Sequence, residues 1–142
     1  MVSSRLAMRL ALGIVMLLPL MAEARPGPAP STPQTRTIWI NPYNNVKVAT
    51  GDCGGKLCGW VVWATPEAEQ EARDGGVQQL VGTELLQNYR ATGPGTWQGR
   101  VFVPDMGRTY YSTIRLLDPN SLKISGCILG GLICKSQVWR RV

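Results

Sequence analysis

The chain reads as an all-β domain, a meander of short antiparallel strands folding into a barrel or a sandwich, with one short helix. Three observations point there. Segments rich in Val, Ile, Thr and aromatic residues recur at short range through the second half of the sequence. Turn-forming residues separate them. The chain has 142 residues, 44% of them hydrophobic and 17% charged, the balance of one folded domain rather than a disordered chain.

The elements follow in order. Strands are expected over Val46–Thr50, where apolar residues alternate with polar or small ones, and over Cys58–Ala64, a buried-looking run rich in Val and Trp. Further strands are expected over Trp97–Val103, Thr109–Leu117, Ser121–Ile128 and Leu132–Arg140. Pro104-Asp105-Met106-Gly107 and Asp118-Pro119-Asn120 are turn sequences, and Gly130-Gly131 reads as a two-residue hairpin loop inside a nearly symmetric stretch. The helix starts after Thr65, a cap, with Pro66 at its first position. Glu67, Glu69 and Glu71 favour its N-terminal end, and Gly75-Gly76 ends it. Its polar pattern suits a surface helix or a lid. Leu80–Tyr89 reads as a loop followed by a short strand.

The first 24 residues read as a secretory signal peptide. Arg5 and Arg9 form the basic start, Leu10–Met21 is an apolar stretch of h-region length, and Ala22-Glu23-Ala24 offers small residues for cleavage after Ala24. A membrane-spanning helix needs about 20 apolar residues, more than this run provides, so no transmembrane anchor is expected after cleavage. Residues 25–35, with four prolines and no large apolar residue, form a semi-rigid linker. The folded domain is therefore expected over residues 36–142, exported and periplasmic or secreted.

Four cysteines in an exported chain are expected to be oxidised. A tight turn at Gly55-Lys56 brings Cys53 opposite Cys58. The Gly130-Gly131 turn brings Cys127 opposite Cys134, at a hydrogen-bonded position where cross-strand side chains sit farther apart. The favoured pairing is Cys53–Cys58 and Cys127–Cys134, with a crossed bridge between hairpins as the alternative.

Composition also excludes chemistry. Without a histidine there is no Ser-His-Asp or Cys-His unit and no imidazole ligand. The C-x4-C and C-x6-C spacings do not match a zinc site, so no metal and no other cofactor is expected. Asp74, Asp105 and Asp118 sit in turn contexts, and no carboxylate pair has a spacing that demands acid and base roles. The expectation is a non-enzymatic protein with no catalytic residues. The net charge of +6 is spread thinly, without a Lys/Arg run. That serves solubility, and as a binding signal it fits an anionic envelope surface better than nucleic acid.

Several motifs together resemble a family of small secreted bacterial proteins catalogued only as a domain of unknown function. They are Cys53-Gly54-Gly55-Lys56-Leu57-Cys58-Gly59, Val62-Trp63, Trp97-Gln98-Gly99, Phe102-Val103-Pro104-Asp105-Met106-Gly107 with Thr109-Tyr110, Leu122-Lys123-Ile124-Ser125-Gly126-Cys127 and Ser136-Gln137-Val138-Trp139-Arg140. The resemblance implies a lipocalin-like antiparallel β-barrel of about eight strands. It also implies that Trp39 on the first strand and Arg140 on the last close one barrel end by stacking. Thr37 stands where the related Gly-x-Trp pattern has its glycine.

Such a barrel either fills its interior or holds one small molecule. Strand alternation supplies candidate wall residues Trp63, Phe102 and Tyr111, with Arg115 as a polar anchor. Gly99 and Gly126, both mid-strand, mark bends or room beside a cavity. The functional expectation is binding of a small hydrophobic or amphipathic ligand. The alternative is an envelope-associated structural or interaction module with a filled barrel.

Overall fold

The computed structural model describes residues 36–142. The signal-peptide and linker readings lie outside the described residues. The strands are β1 (Thr37–Ile40), β2 (Val46–Asp52), β3 (Leu57–Ala64), β4 (Glu84–Gly93), β5 (Thr96–Val103), β6 (Arg108–Asp118), β7 (Ser121–Ile128) and β8 (Ile133–Arg141). The helix α1 (Pro66–Asp74) lies between β3 and β4. Each strand pairs antiparallel with its sequence neighbour, and β1 pairs with β8, so the sheet is a closed eight-stranded barrel. The expected meander is correct, and the barrel rather than the sandwich is its form. Among the described residues no helix is long and apolar enough to cross a membrane.

Up-and-down connectivity sorts the loops into two ends. The connections β1–β2, β3–β4, β5–β6 and β7–β8 lie at one end, here the mouth. The connections β2–β3, β4–β5 and β6–β7 lie at the other, the far end. Closure is slight: β1 meets β8 only through Trp39 with Arg141 and Ile40 with Arg140, plus Val142 N–H donating to the Ile38 carbonyl at 3.0 Å.

Alternation sets the inner face. Gly99, Ser112 and Gly126 are successive cross-strand partners, as are Trp97, Ile114 and Ile124, so these side chains share the interior. The opposite face of the same strands carries Gln98, Arg100, Thr113, Arg115 and Lys123, all at least partly exposed. A lipid-spanning barrel turns its apolar residues outward, and this one does the reverse. The core is Trp39, Val48, Val61, Leu86, Tyr89 and Ile114 with their neighbours.

Helix α1 forms as its sequence dictates. Thr65 Oγ1 accepts from Ala68 N–H at 3.2 Å, Pro66 occupies the first turn, and Ala68 and Ala72 form the buried face one turn apart. The Glu69 carboxylate accepts from Leu80 N–H at 3.0 Å and Val81 N–H at 3.3 Å, tying the following loop to the helix. Gly75 ends it where the Pro104 carbonyl approaches so closely that no Cβ fits. The β5–β6 turn and α1 are thus held together at the mouth.

Both hairpin bridges form as favoured, Cys53–Cys58 and Cys127–Cys134. The turns that carry them differ from expectation. At β2–β3 the turn is Gly54-Gly55, not Gly55-Lys56, with Cys53 N–H donating to the Lys56 carbonyl at 2.9 Å. Gly54 (φ 74°) and Gly55 (φ 82°) both take the left-handed region that such a turn demands and that Lys would adopt only with strain. Cys58 then faces Gly51, and the bridge runs diagonally over a Cα separation of 5.9 Å. At β7–β8 the loop has four residues, Leu129–Leu132, with a single 3-10 turn at Leu129–Gly131. That places Cys127 and Cys134 directly opposite each other at a Cα separation of 4.1 Å. This is the closer, non-hydrogen-bonded kind of pair, so the wider spacing expected from a two-residue loop does not arise.

Candidate functional site

The barrel is solid at the far end and hollow towards the mouth. In the far half, Trp39 Nε1 donates to Thr50 Oγ1 at 3.0 Å, which satisfies the indole in the core. Gly99 leaves room for Tyr89: a Cβ there would lie 2.6 Å from Tyr89 Cγ and 2.8 Å from the Gln87 carbonyl. Tyr89 reaches that space because β4 bulges. Gln87 pairs with Arg100 and Arg90 with Gln98, so Asn88 and Tyr89 together oppose Gly99, and Asn88 takes φ 53°. Tyr89 and Ser112 are fully buried, and neither hydroxyl meets hydrogen-bond geometry with any protein group. Burial pushes the Tyr89 phenol well above its ordinary range, and the nearby Ser112 hydroxyl offsets this only in part.

Above this floor lies a cavity of about 740 Å³. Val101, Val103, Ile124, Ile133 and Trp139 form much of its wall. Ala68 and Ala72 of α1, with Leu80 from the loop behind it, cover one side. Its polar groups are few. Asn41 Oδ1 accepts from the N–H groups of Asn45 and Val46 at 3.1 and 3.2 Å, and Asn41 Nδ2 donates to Asn45 Oδ1 at 2.6 Å. Trp139 Nε1 donates to Gln137 Oε1 at 2.9 Å. Glu71 and Asp105 lie on the α1 side, and Lys135 is the one basic residue among those lining the space. Mostly apolar walls with a few oriented polar groups suit a small apolar or amphipathic molecule.

The residues singled out from sequence separate in space. Phe102 lines the cavity beside Val101 and Val103, although Gly99 and Val101 are the inward residues of β5 and Phe102 follows directly after them. Trp63 stands outside the barrel, 41% exposed, with Lys47 Nζ 4.9 Å from its ring centre. Tyr111 is 45% exposed on the outer face beside Cys127, and Arg115 is exposed opposite Thr96. Neither lines the cavity. Trp39 is buried and Arg140 exposed, and Arg140 donates to Asn44 Oδ1 at 3.0 Å. The cation–π contacts among the described residues are Lys47 with Trp63 and Arg36 with Trp60, and none joins Arg140 to Trp39. Of the two mid-strand glycines, Gly99 is filled by Tyr89 and Gly126 borders the cavity.

Sequence reasoning passed over Lys135, Gln137 and Ile133. Their signal was available: Leu132–Arg140 alternates, and Ile133, Lys135, Gln137 and Trp139 are one face of it. The mixed polarity of that face leaves no apolar stripe to mark it as inner.

No curated protein matches the chain. Among solved structures it is similar to protein HP1028 from the human pathogen Helicobacter pylori, described as belonging to the lipocalin family. The TM-score is 0.58 at 15% identity, over 75% of this chain and 80% of that one, a likeness of fold. A family model described as "uncharacterized protein conserved in bacteria (DUF2147)" matches residues 37–141, nearly the whole barrel, and the chain belongs to that family.

Proposed function

We propose that the protein is an exported, non-enzymatic carrier that binds a small hydrophobic or amphipathic molecule in the mouth half of its barrel. The observation that carries this reading is the cavity: about 740 Å³ of space open at one end, walled mainly by Val, Ile, Leu and aromatic side chains. Ligand sites for small molecules typically span about 300–1,000 Å³. A barrel serving only as a filled structural module has no use for that space. Phe102 and Trp139 contact the apolar body of the cargo, and Gln137 and Lys135 meet any polar end near the mouth. Export is supported by the two disulfides, which belong to an oxidising compartment.

The test is native mass spectrometry of protein recovered from the cell envelope, followed by titration with a fluorescent polyene fatty acid. A retained species, or saturable uptake that a bulky Gly126→Leu substitution blocks, supports carriage. Repeated recovery of empty protein that also takes up no probe overturns it. The mass of the recovered chain tests export directly, with cleavage expected after Ala24.

A further inference from the structure

Large apolar side chains stand exposed around the mouth on three separate connections. Tyr43 is 70% and Met106 56% exposed, and the β7–β8 tip adds Ile128, Leu129 at 67%, Leu132 at 84% and Ile133. A single exposed Leu carries no meaning. This group differs in three respects. Tyr43, Met106, Ile128 and Ile133 also line the cavity, so the exposed group includes part of the cavity wall. Leu129 holds φ 51°, a left-handed conformation that suits Gly or Asn, so an apolar side chain is kept at a position that disfavours it. The Cys127–Cys134 bridge fixes the base of a tip whose own side chains pack on nothing in the core.

Charge identifies the occupant. Lys135 lies just behind the tip, and Arg140 reaches the neighbouring β1–β2 connection. The acidic groups, Glu67, Glu69, Glu71 and Asp74 of α1 with Asp105 of the turn packed on it, lie on the α1 side. The hairpin side thus joins exposed apolar residues to positive charge, the two signals that together give stable attachment to an anionic membrane surface. A specific protein partner needs roughly 800 Å² of complementary surface on each side, more than a narrow hairpin tip presents. A bilayer demands no such complementarity. We infer that the β7–β8 tip docks the barrel mouth on an anionic lipid bilayer, with Leu129 and Leu132 entering its apolar layer and Lys135 at the phosphates. The purpose of this docking rests on the carrier reading: a lipidic cargo passes between bilayer and cavity without crossing water.

The experiment is co-flotation of protein, purified from cells exporting the full chain, with vesicles of phosphatidylglycerol and phosphatidylethanolamine or of phosphatidylcholine alone. The expected result is binding to the anionic vesicles, weaker on phosphatidylcholine and in high salt. The Leu129→Ser/Leu132→Ser variant is expected to lose affinity by about tenfold or more, as removal of two inserted side chains requires. These positions are exposed, so the variant should keep its fold. Its unchanged uptake of the polyene fatty acid from solution would demonstrate an intact cavity. No binding by the unaltered protein, or equal binding by the variant, overturns the docking. So does a dimer in sedimentation that the variant abolishes, without vesicle binding, since the tip then meets a second copy. Vesicle binding without probe uptake retains the docking and removes the carrier.

Discussion

The two stapled hairpins lie at opposite ends of the barrel and share almost the same formula, two cysteines around a Gly-Gly turn. At the far end, Cys53–Cys58 closes over Gly54-Gly55-Lys56-Leu57, whose one apolar side chain, Leu57, packs against the core. At the mouth, Cys127–Cys134 closes below Ile128-Leu129-Gly130-Gly131-Leu132-Ile133, with all four large side chains exposed. The staple is therefore not what gives either end its role. The far end seals a packed core, while the mouth end presents surface, and the difference lies in the residues between the cysteines. It extends along the whole interior, from the filled layer of Tyr89, Ile114 and Leu122 to the space bordered by Gly126 and Ile133.

Substitutions at matched positions sharpen that contrast. The largest effect is expected from Ile114→Ala, which empties a site only 1% exposed and should cost about 2–5 kcal/mol in denaturant unfolding. Ile133→Ala, at 54% exposure, should cost well under about 1 kcal/mol. Equal losses would erase the distinction between the two ends. Next comes replacement of each cysteine pair by serine. Loop closure gives each bridge about 2 kcal/mol, and each contains one buried cysteine whose serine leaves a desolvated hydroxyl, Cys58 at 1% and Cys127 at 7% exposure, so the two pairs should cost nearly the same, the far-end pair slightly more.

Gly99→Ala drives a methyl into Tyr89 and should cost about 1–3 kcal/mol. Gly126→Ala meets only Val101 Cγ1 at 3.5 Å and should be tolerated, its effect appearing in ligand uptake instead. The smallest effect is expected from Tyr89→Phe, which removes a hydroxyl that has no partner and should change stability by less than about 1 kcal/mol near neutral pH, in either direction. Its signature lies at high pH. Because the folded-state pKa is raised, stability is full below the unfolded value of about 10 and falls as pH rises beyond it. Titration of unfolding between roughly pH 9 and 11 should find that decline reduced in Tyr89→Phe.

Much of the barrel was legible because its strands are short and its turns use residues with few alternatives. Ser121–Ile128 has the expected limits, and Thr65, Pro66 and Gly75 frame α1 as their chemistry requires. The cysteine pairing was also legible, although the turns beneath it shift: two glycines outcompete Gly-Lys at β2–β3, and the β7–β8 loop takes four residues in place of two. The site was much less readable. Alternation predicts faces only where register is regular, and β2–β3 and β4–β5 both contain shifts. The one at Asn88 turns Tyr89 inward, and no local pattern announces it. Trp63 and Tyr111 are aromatic residues inside β-rich segments, which made them resemble lining residues. Their cross-strand partners, Lys47 and Cys127, assign them to the outside.

The slight seam between the first and last strands has a consequence for how the molecule comes into being. Trp39 and Ile40 wait for Arg140 and Arg141, partners from opposite extremes of the domain, and every other strand pairing joins sequence neighbours. Seven of the eight ladders can thus zip locally, while the eighth must find its mate across the longest stretch of chain the fold contains, the slowest class of contact to form. Until it does, the molecule is a curled ribbon with two raw margins. Closing that seam rests on two residue pairs and one further hydrogen bond, from Val142 to Ile38.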